Sequence, residues 1–215
     1  MIVYGSSLSP YVRKVMAFAA EKGLEVELRP NAGPGGPDPE FLAASPFRKI
    51  PALRDGDFTL ADSSAIVGYM EKLKPSPELI PSDPRDHARA IWFDEWADTI
   101  QCAAGVPIFF NRIVAPLLGR PADPAVADRA EKELLPPALD YLEGVAPAAG
   151  DFLVGGRLTL ADIAAASPFV NLRHLGIDYA SSHPKAGAYV DAVLARPSFA
   201  GLIEGETAFL ASRPA

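Results

Sequence analysis

MIVYGSSLSPYVRKVMAFAAEKGLEVELRP, Met1 to Pro30, carries a change of period twice within one short stretch. Met1–Tyr4 is a brief apolar run of strand type. From Tyr11 to Lys22 the residues Val12, Val15, Met16 and Ala19 recur at i, i+3, i+4 and i+7, which is one face of a helix. Gly23 follows at the place where a helix ends on a left-handed residue. Leu24, Val26 and Leu28 then alternate with Glu25 and Glu27, the pattern of a half-buried strand. Strand, helix and strand in so little chain predict a βαβ unit.

Working outward, Asn31–Pro39 is a loop by its glycine and proline content, and Pro39–Ser45 adds a short helix. Pro51–Arg54 and Asp57–Leu60 flank Asp55-Gly56, a hairpin signal. Ile66, Tyr69, Met70 and Leu73 mark a helix that opens at Ser63. Residues 1–75 therefore predict an α/β domain of order βαβ, loop, ββα. Pro75–Asp86 holds four prolines and no periodic face, and residues 76–84 are assigned to a linker. Beyond it no strand pattern stands out. Helices are predicted over about 85–118, 123–145, 160–174 and 184–195, with a last turn near 199–210, so residues 85–215 form an all-α domain.

Composition narrows the function. The net charge of −7 disfavours nucleic-acid backbone binding, which draws on clustered Lys and Arg. The one cysteine, Cys102, cannot form an internal disulfide and suits a reducing, cytoplasmic setting. No basic n-region opens the chain, and no stretch approaches the roughly 18 apolar residues of a membrane span. His87, His174 and His183 are scattered without metal-ligand spacing, so no metal is expected. Cys102, Trp92 and Trp96 read as packing residues, and Phe109, Phe110 and Asn111 as candidates for lining a cleft.

Three stretches carry chemistry. Ser9-Pro10 fits an N-cap followed by proline at the first helical position. The same geometry aims a hydroxyl and unpaired amides at whatever lies before the helix, where an anion is stabilised and a thiol ionises more easily. Ser7 and Ser6 compete for that role. Ile50-Pro51 opens a strand straight after a loop, with cis and trans bonds equally compatible with the motif. Asp62-Ser63 fits a helix cap, or a zwitterion site in which Ser63 and the helix amides hold a carboxylate while Asp62 attracts an ammonium. Farther on, Thr159 and Asp162 have capping-box spacing, with Leu158 and Ile163 placed as a hydrophobic staple.

SPYVRKV, KIPAL and DSSAI, followed by FLVGGRLTLADI in the second half, resemble the glutathione transferase superfamily over essentially the whole chain, in its serine-type, tau- or zeta-like form. The resemblance implies a thioredoxin-like first domain, a helical second domain lining the electrophile pocket, and glutathione bound between them as co-substrate. It implies that Ser9 stabilises the glutathione thiolate. It gives Lys49 a contact with the tripeptide, pairs the Ile50 backbone with the cysteinyl part, makes Pro51 cis, and sets Asp62 and Ser63 on the γ-glutamyl end. Tyr4 is an alternative to Ser9, because some classes use a tyrosine at the end of the first strand. The implied reaction joins glutathione to a small hydrophobic electrophile, or reduces it, in a homodimer. A non-catalytic binding protein on the same fold and a glutathione-dependent isomerase are the alternatives. The longer serine and cysteine run of the zeta-like isomerases is missing here.

Overall fold

The computed structural model describes residues 1–33 and 36–212. Pro34 and Gly35, within the predicted loop, and residues 213–215, within the predicted helical domain, lie outside the described residues. By contact the chain divides into two compact units, Met1–Ser82 with Pro197–Ala215, and Asp83–Arg196.

The first unit is thioredoxin-like. Its elements are β1 (Ile2–Tyr4), α1 (Pro10–Lys22), β2 (Glu27–Arg29), β3 (Ala32–Gly33), β4 (Gly36–Pro37), α2 (Pro39–Ala44), β5 (Ala52–Asp55), β6 (Phe58–Ala61) and α3 (Ser63–Leu73). The main sheet has the order β2-β1-β5-β6. β1 and β2 run parallel, and the crossover this demands is α1. β5 is antiparallel to both β1 and β6. The alternation over 24–28 appears as alternating burial, but only Glu27–Arg29 pairs as strand. The hairpin turn falls one residue later than Asp55-Gly56 suggests. Asp55 pairs with Phe58, so Gly56 and Asp57 are the central pair, and Gly56 takes the positive φ of 62° at the first of them. β3 and β4 form a two-residue ladder inside the stretch expected to be loop.

α1 buries more than its predicted stripe. Val12, Val15 and Ala19 are buried as expected, but so are Arg13, Lys14 and Lys22. The reason is that α1 packs on two sides, against α3 and against a late helix, Pro197–Ala211. The sequence places that segment in the helical domain, whereas by contact it joins the first unit. Arg13 and Lys22 each meet a carboxylate there: Arg13 binds Glu206 through two bonds of 3.0 and 2.8 Å, and Lys22 lies 2.5 Å from Glu71.

The second unit is helical. It begins with a continuous run from Pro84 to Leu117. This comprises α4 (Pro84–Trp96), a wide π-type turn (Ala97–Gln101), α5 (Cys102–Phe109), a second wide turn (Phe110–Val114) and α6 (Ala115–Leu117). A stretch of the run has mean hydropathy 1.3, enough to cross a membrane by length and composition, where the sequence reading found none. Cys102, Ala104, Ile108 and Phe109 of that run are buried within this protein. Then come α7 (Pro124–Arg129), a third wide turn (Ala130–Leu134), α8 (Leu135–Val145), α9 (Leu160–Ala166), α10 (Phe169–His174) and α11 (Pro184–Leu194). Pro197–Ala211 is α12.

α9 opens on the predicted capping box. Asp162 Oδ2 accepts from the Thr159 amide at 2.9 Å, and Asp162 Oδ1 accepts from the Leu153 amide and the Tyr189 hydroxyl, each at 2.8 Å. Leu158 and Ile163 are both buried. Trp96 is buried, as a packing residue should be, but Trp92 is 47 % exposed. Its N–H donates to the Tyr141 hydroxyl at 2.6 Å, so the indole lies across α8 instead of entering the core.

Candidate active site

The strand register gathers the three chemical stretches. Tyr4 at the end of β1 is opposite Ala52 at the start of β5, and Ala52 is opposite Ala61 at the end of β6. The chain leaving β1 (Gly5–Ser9), the chain entering β5 (Ile50-Pro51) and the chain leaving β6 (Asp62-Ser63) therefore emerge at one end of the sheet. Gly5 makes the closeness concrete. A Cβ there would stand 2.6 Å from Val12 Cγ2 and 3.3 Å from Ile50 Cβ, so only glycine lets the strand pass between helix and loop.

Ser9 occupies the N-cap position of α1 with extended backbone (φ −78°, ψ 126°), and its carbonyl accepts the first helical bond from Arg13. Its side chain makes no capping hydrogen bond. Pro10 at N1 has no N–H, which leaves the amides of the next residues at the positive end of the helix. Ser6 is exposed and Ser7 half-buried in the same loop.

Tyr4 lies elsewhere. Its ring is fully buried with Phe41, Ala44 and Ala52, and its hydroxyl donates to Glu40 at 2.8 Å. Burial and the neighbouring Glu40 carboxylate both hold the phenol above its usual range. Glu40 is itself held below the usual carboxylate range by Arg54 and by the Tyr4 hydroxyl. A tyrosine so committed is poorly placed to support an anion.

The Ser45–Lys49 loop leads into the second stretch. The Ser45 hydroxyl donates to the Lys49 carbonyl at 2.7 Å and accepts from the Lys49 amide at 3.0 Å, which pins the backbone and leaves the Lys49 side chain in solvent. Arg48 adopts a positive φ of 55°. The Ile50-Pro51 bond is cis, as the resemblance implies. Ser76-Pro77 is cis as well, which nothing in the sequence suggested.

At the third stretch Asp62 holds φ 81°, a sparsely populated region for a residue with a Cβ, costing on the order of 1–3 kcal/mol. Its carboxylate accepts from the amides of Ser64 (2.9 Å) and Ala65 (3.3 Å). Asp62 thus caps α3, the first of the two readings the sequence offered, and it takes two of the helix amides that the zwitterion reading would give to a carboxylate. Ser63 is 2 % exposed at the first turn of α3. Lys14, unremarked in the sequence, reaches the Ser64 hydroxyl at 3.3 Å from α1.

Beside the first stretch lies a cavity of about 350 Å³, lined by Gly5, Ser6, Ser7, Leu8, Leu28, Pro30 and Asn31 on one side and Gly205, Glu206 and Phe209 of α12 on the other. The α12 contribution was not legible, because the helix carries no periodic apolar face that would announce a wall. Of the other expected cleft residues, Phe109 is buried, and Asn111 is occupied locally: it donates to the Pro107 carbonyl and accepts from the Asp123 amide.

The family model described as glutathione S-transferase, N-terminal domain, matches residues 3–78, and that described as glutathione S-transferase, C-terminal domain, matches 111–205. Glutathione S-transferase 3 of Zea mays is 34% identical over 203 residues, covering 92% of this chain and 90% of its own. The chain belongs to the glutathione transferase superfamily. Among solved structures, glutathione transferase F7 from Populus trichocarpa superposes with a TM-score of 0.82 at 29% identity, covering 95% of this chain and 98% of its own. A glutathione S-transferase from Methylobacterium radiotolerans, solved in complex with glutathione sulfonate, superposes with a TM-score of 0.76 at 31% identity, covering 94% and 93%. The function is that of a glutathione transferase, an enzyme, and the non-catalytic alternative is set aside.

Proposed function

We propose that this glutathione transferase binds glutathione as co-substrate across the end of the first unit's sheet, with Ser9 donating a hydrogen bond to the thiolate. The observation that carries this is the N-cap serine whose side chain does not cap. The α1 amino terminus adds the positive end of its dipole, and both effects favour the charged sulfur. The Ile50 backbone takes the cysteinyl part, the exposed Lys49 side chain a carboxylate of the tripeptide, Asp62 the γ-glutamyl ammonium and Ser63 the γ-glutamyl carboxylate. With two α3 amides already given to Asp62, the Ser63 hydroxyl is the principal anchor for that carboxylate. Ser63→Ala is expected to weaken glutathione binding by about 1.5–3 kcal/mol, the range for a hydrogen bond to a charged group. Calorimetric titration of wild type and variant checks this, and equal affinities would remove Ser63 from the site.

The electrophile is placed in the cavity between Gly5–Leu8 and α12, where holding it against the thiolate makes the reaction effectively unimolecular. The protein is cytoplasmic in this reading, and it acts as a homodimer. Phe47 supports the dimer: it is 84 % exposed in the Ser45–Lys49 loop, and an aromatic ring held in water is the kind of group a second copy covers. Phe47→Ser is expected to raise the dimer dissociation constant about 30-fold or more, the cost of a buried aromatic anchor. Sedimentation velocity over a dilution series reads that directly. A variant that dissociates no more readily than wild type would place the interface elsewhere.

A further inference from the structure

We infer that Gly205 determines which electrophiles this enzyme admits, by holding the mouth of the cavity open to compounds larger than a single ring. The inference rests on the reading of the cavity as the electrophile site. Gly205, Glu206 and Phe209 are the α12 residues that line it. At about 100° per residue the three fall within an arc of about 100° on the helix, with Phe209 about 40° from Gly205. Glu206 is buried at one edge of that arc, whereas Phe209 (40 % exposed) and Gly205 lie toward the outside. Helical side chains lean toward the amino terminus, so the Phe209 side chain inclines over the turn that carries Gly205. Position 205 is thus the outer part of the wall that Phe209 forms. Nothing in the fold demands glycine there. Gly205 is interior to α12 and takes no positive φ, and an added Cβ would meet nothing within 4 Å beyond its own helix backbone. Gly187 shows the contrast, since a Cβ there would stand 2.7 Å from Ala180 Cβ. A helix-interior glycine weakens its helix relative to alanine, so position 205 gives up stability for open space at the cavity. Gly201, one turn earlier, has the same open space and an ordinary φ, but it is not among the lining residues. It is the matched control.

The test uses two neutral nitroaryl chlorides with the same reacting ring, one bare and one carrying a phenyl group away from the chlorine. In each, the glutathione sulfur bonds the ring carbon and chloride leaves. Conjugation is followed as kcat/KM for wild type, Gly205→Leu, Gly201→Leu and Phe209→Ala, with a thermal melt of each. Gly205→Leu is expected to lower the rate for the larger compound relative to the smaller about tenfold or more. Gly201→Leu should leave that ratio at the wild-type value. Both leucine variants should melt about 2–4 °C higher than wild type, because each replaces a helix glycine with a good helix former. A Gly205→Leu protein that slows both compounds equally, or shifts the ratio no more than Gly201→Leu does, overturns the inference. If the leucine variant does not fold, Gly205→Ala decides: it should move the ratio in the same direction, and an unmoved ratio overturns the inference. Phe209→Ala removes an apolar wall from the same cavity and should raise the KM of both compounds severalfold, about the loss of buried apolar contact. If it moves neither KM, the electrophile-site reading itself fails. If it moves both while Gly205→Leu leaves the ratio alone, that reading stands and the role of Gly205 falls.

Discussion

Ser9→Ala is expected to raise the pKa of bound glutathione by about one to two units, the equivalent of losing a hydrogen bond to a charged group. Where the pH lies below the thiol pKa of the wild-type complex, the thiolate fraction, and with it the rate of conjugation, should fall about ten- to a hundredfold, and the loss should shrink as pH rises. Glutathione affinity should change far less, because the contacts to the γ-glutamyl end remain. Stability should change little too. The side chain makes no cap bond to lose, which separates this serine from an ordinary N-cap whose removal costs about 1 kcal/mol. Thiolate absorbance against pH in the glutathione complex, read beside a thermal melt, distinguishes the two roles. An unchanged thiol pKa would pass the role to Ser7, which lies in the same loop and lines the cavity. Ser9→Cys should form a mixed disulfide with oxidised glutathione if residue 9 faces the sulfur. Mass spectrometry of the variant finds or excludes the adduct.

The largest stability effect is expected at Asp162. As a cap alone it would be worth about 0.5–2 kcal/mol. The structure makes it more: Asp162 is fully buried and serves the amides of Leu153 and Thr159 and the hydroxyls of Thr159 and Tyr189. Asp162→Ala would leave buried donors without an acceptor, and a loss of about 3–5 kcal/mol is expected. Urea denaturation measures it. Glutathione affinity well below the midpoint should stay near the wild-type value, and a variant of full stability that had lost glutathione would refute the assignment. Burial holds the Asp162 carboxyl above its ordinary value, although its four hydrogen bonds pull the other way. The folded protein therefore binds this proton more tightly than the unfolded chain does. The sign follows: this contribution to stability is full below the ordinary aspartate pKa of 3.8 and is lost as pH rises through the folded value. Asp162→Asn cannot titrate. The stability of wild type relative to that variant should thus decline as pH rises above 3.8, and a rise instead would contradict the assignment.

The parts of this molecule that were legible in the sequence are those written in neighbouring residues. The period change over Met1–Pro30, the Gly23 stop, the prolines at 10 and 51, and the Thr159–Asp162 spacing are local signals, and each corresponds to a feature of the structure. What was not legible depends on partners far along the chain. Arg13 and Lys14 lie outside the apolar stripe read for α1, and nothing nearby says that α12 and α3 cover them. At Asp62 the sequence offered the helix cap and the ligand site side by side, because a capping aspartate and a ligand-binding one have the same sequence, and only the structure shows the cap. Trp92 was misplaced for a similar reason: four residues from Trp96 it shares a helical face, yet its N–H finds Tyr141 at the surface.

Arg13 and Glu206 are 193 positions apart, and that separation bears on how the molecule is made. At a synthesis rate of about 5–20 residues per second, the arginine waits roughly 10–40 s before its carboxylate exists. During that interval the nascent βαβ unit leaves in the open a charged helix face that the finished fold hides. The whole helical unit, Asp83–Arg196, emerges in between and is free to condense first. The amino-terminal unit therefore cannot be completed until the whole helical unit has been synthesised, unlike a domain whose residues are contiguous at the amino terminus.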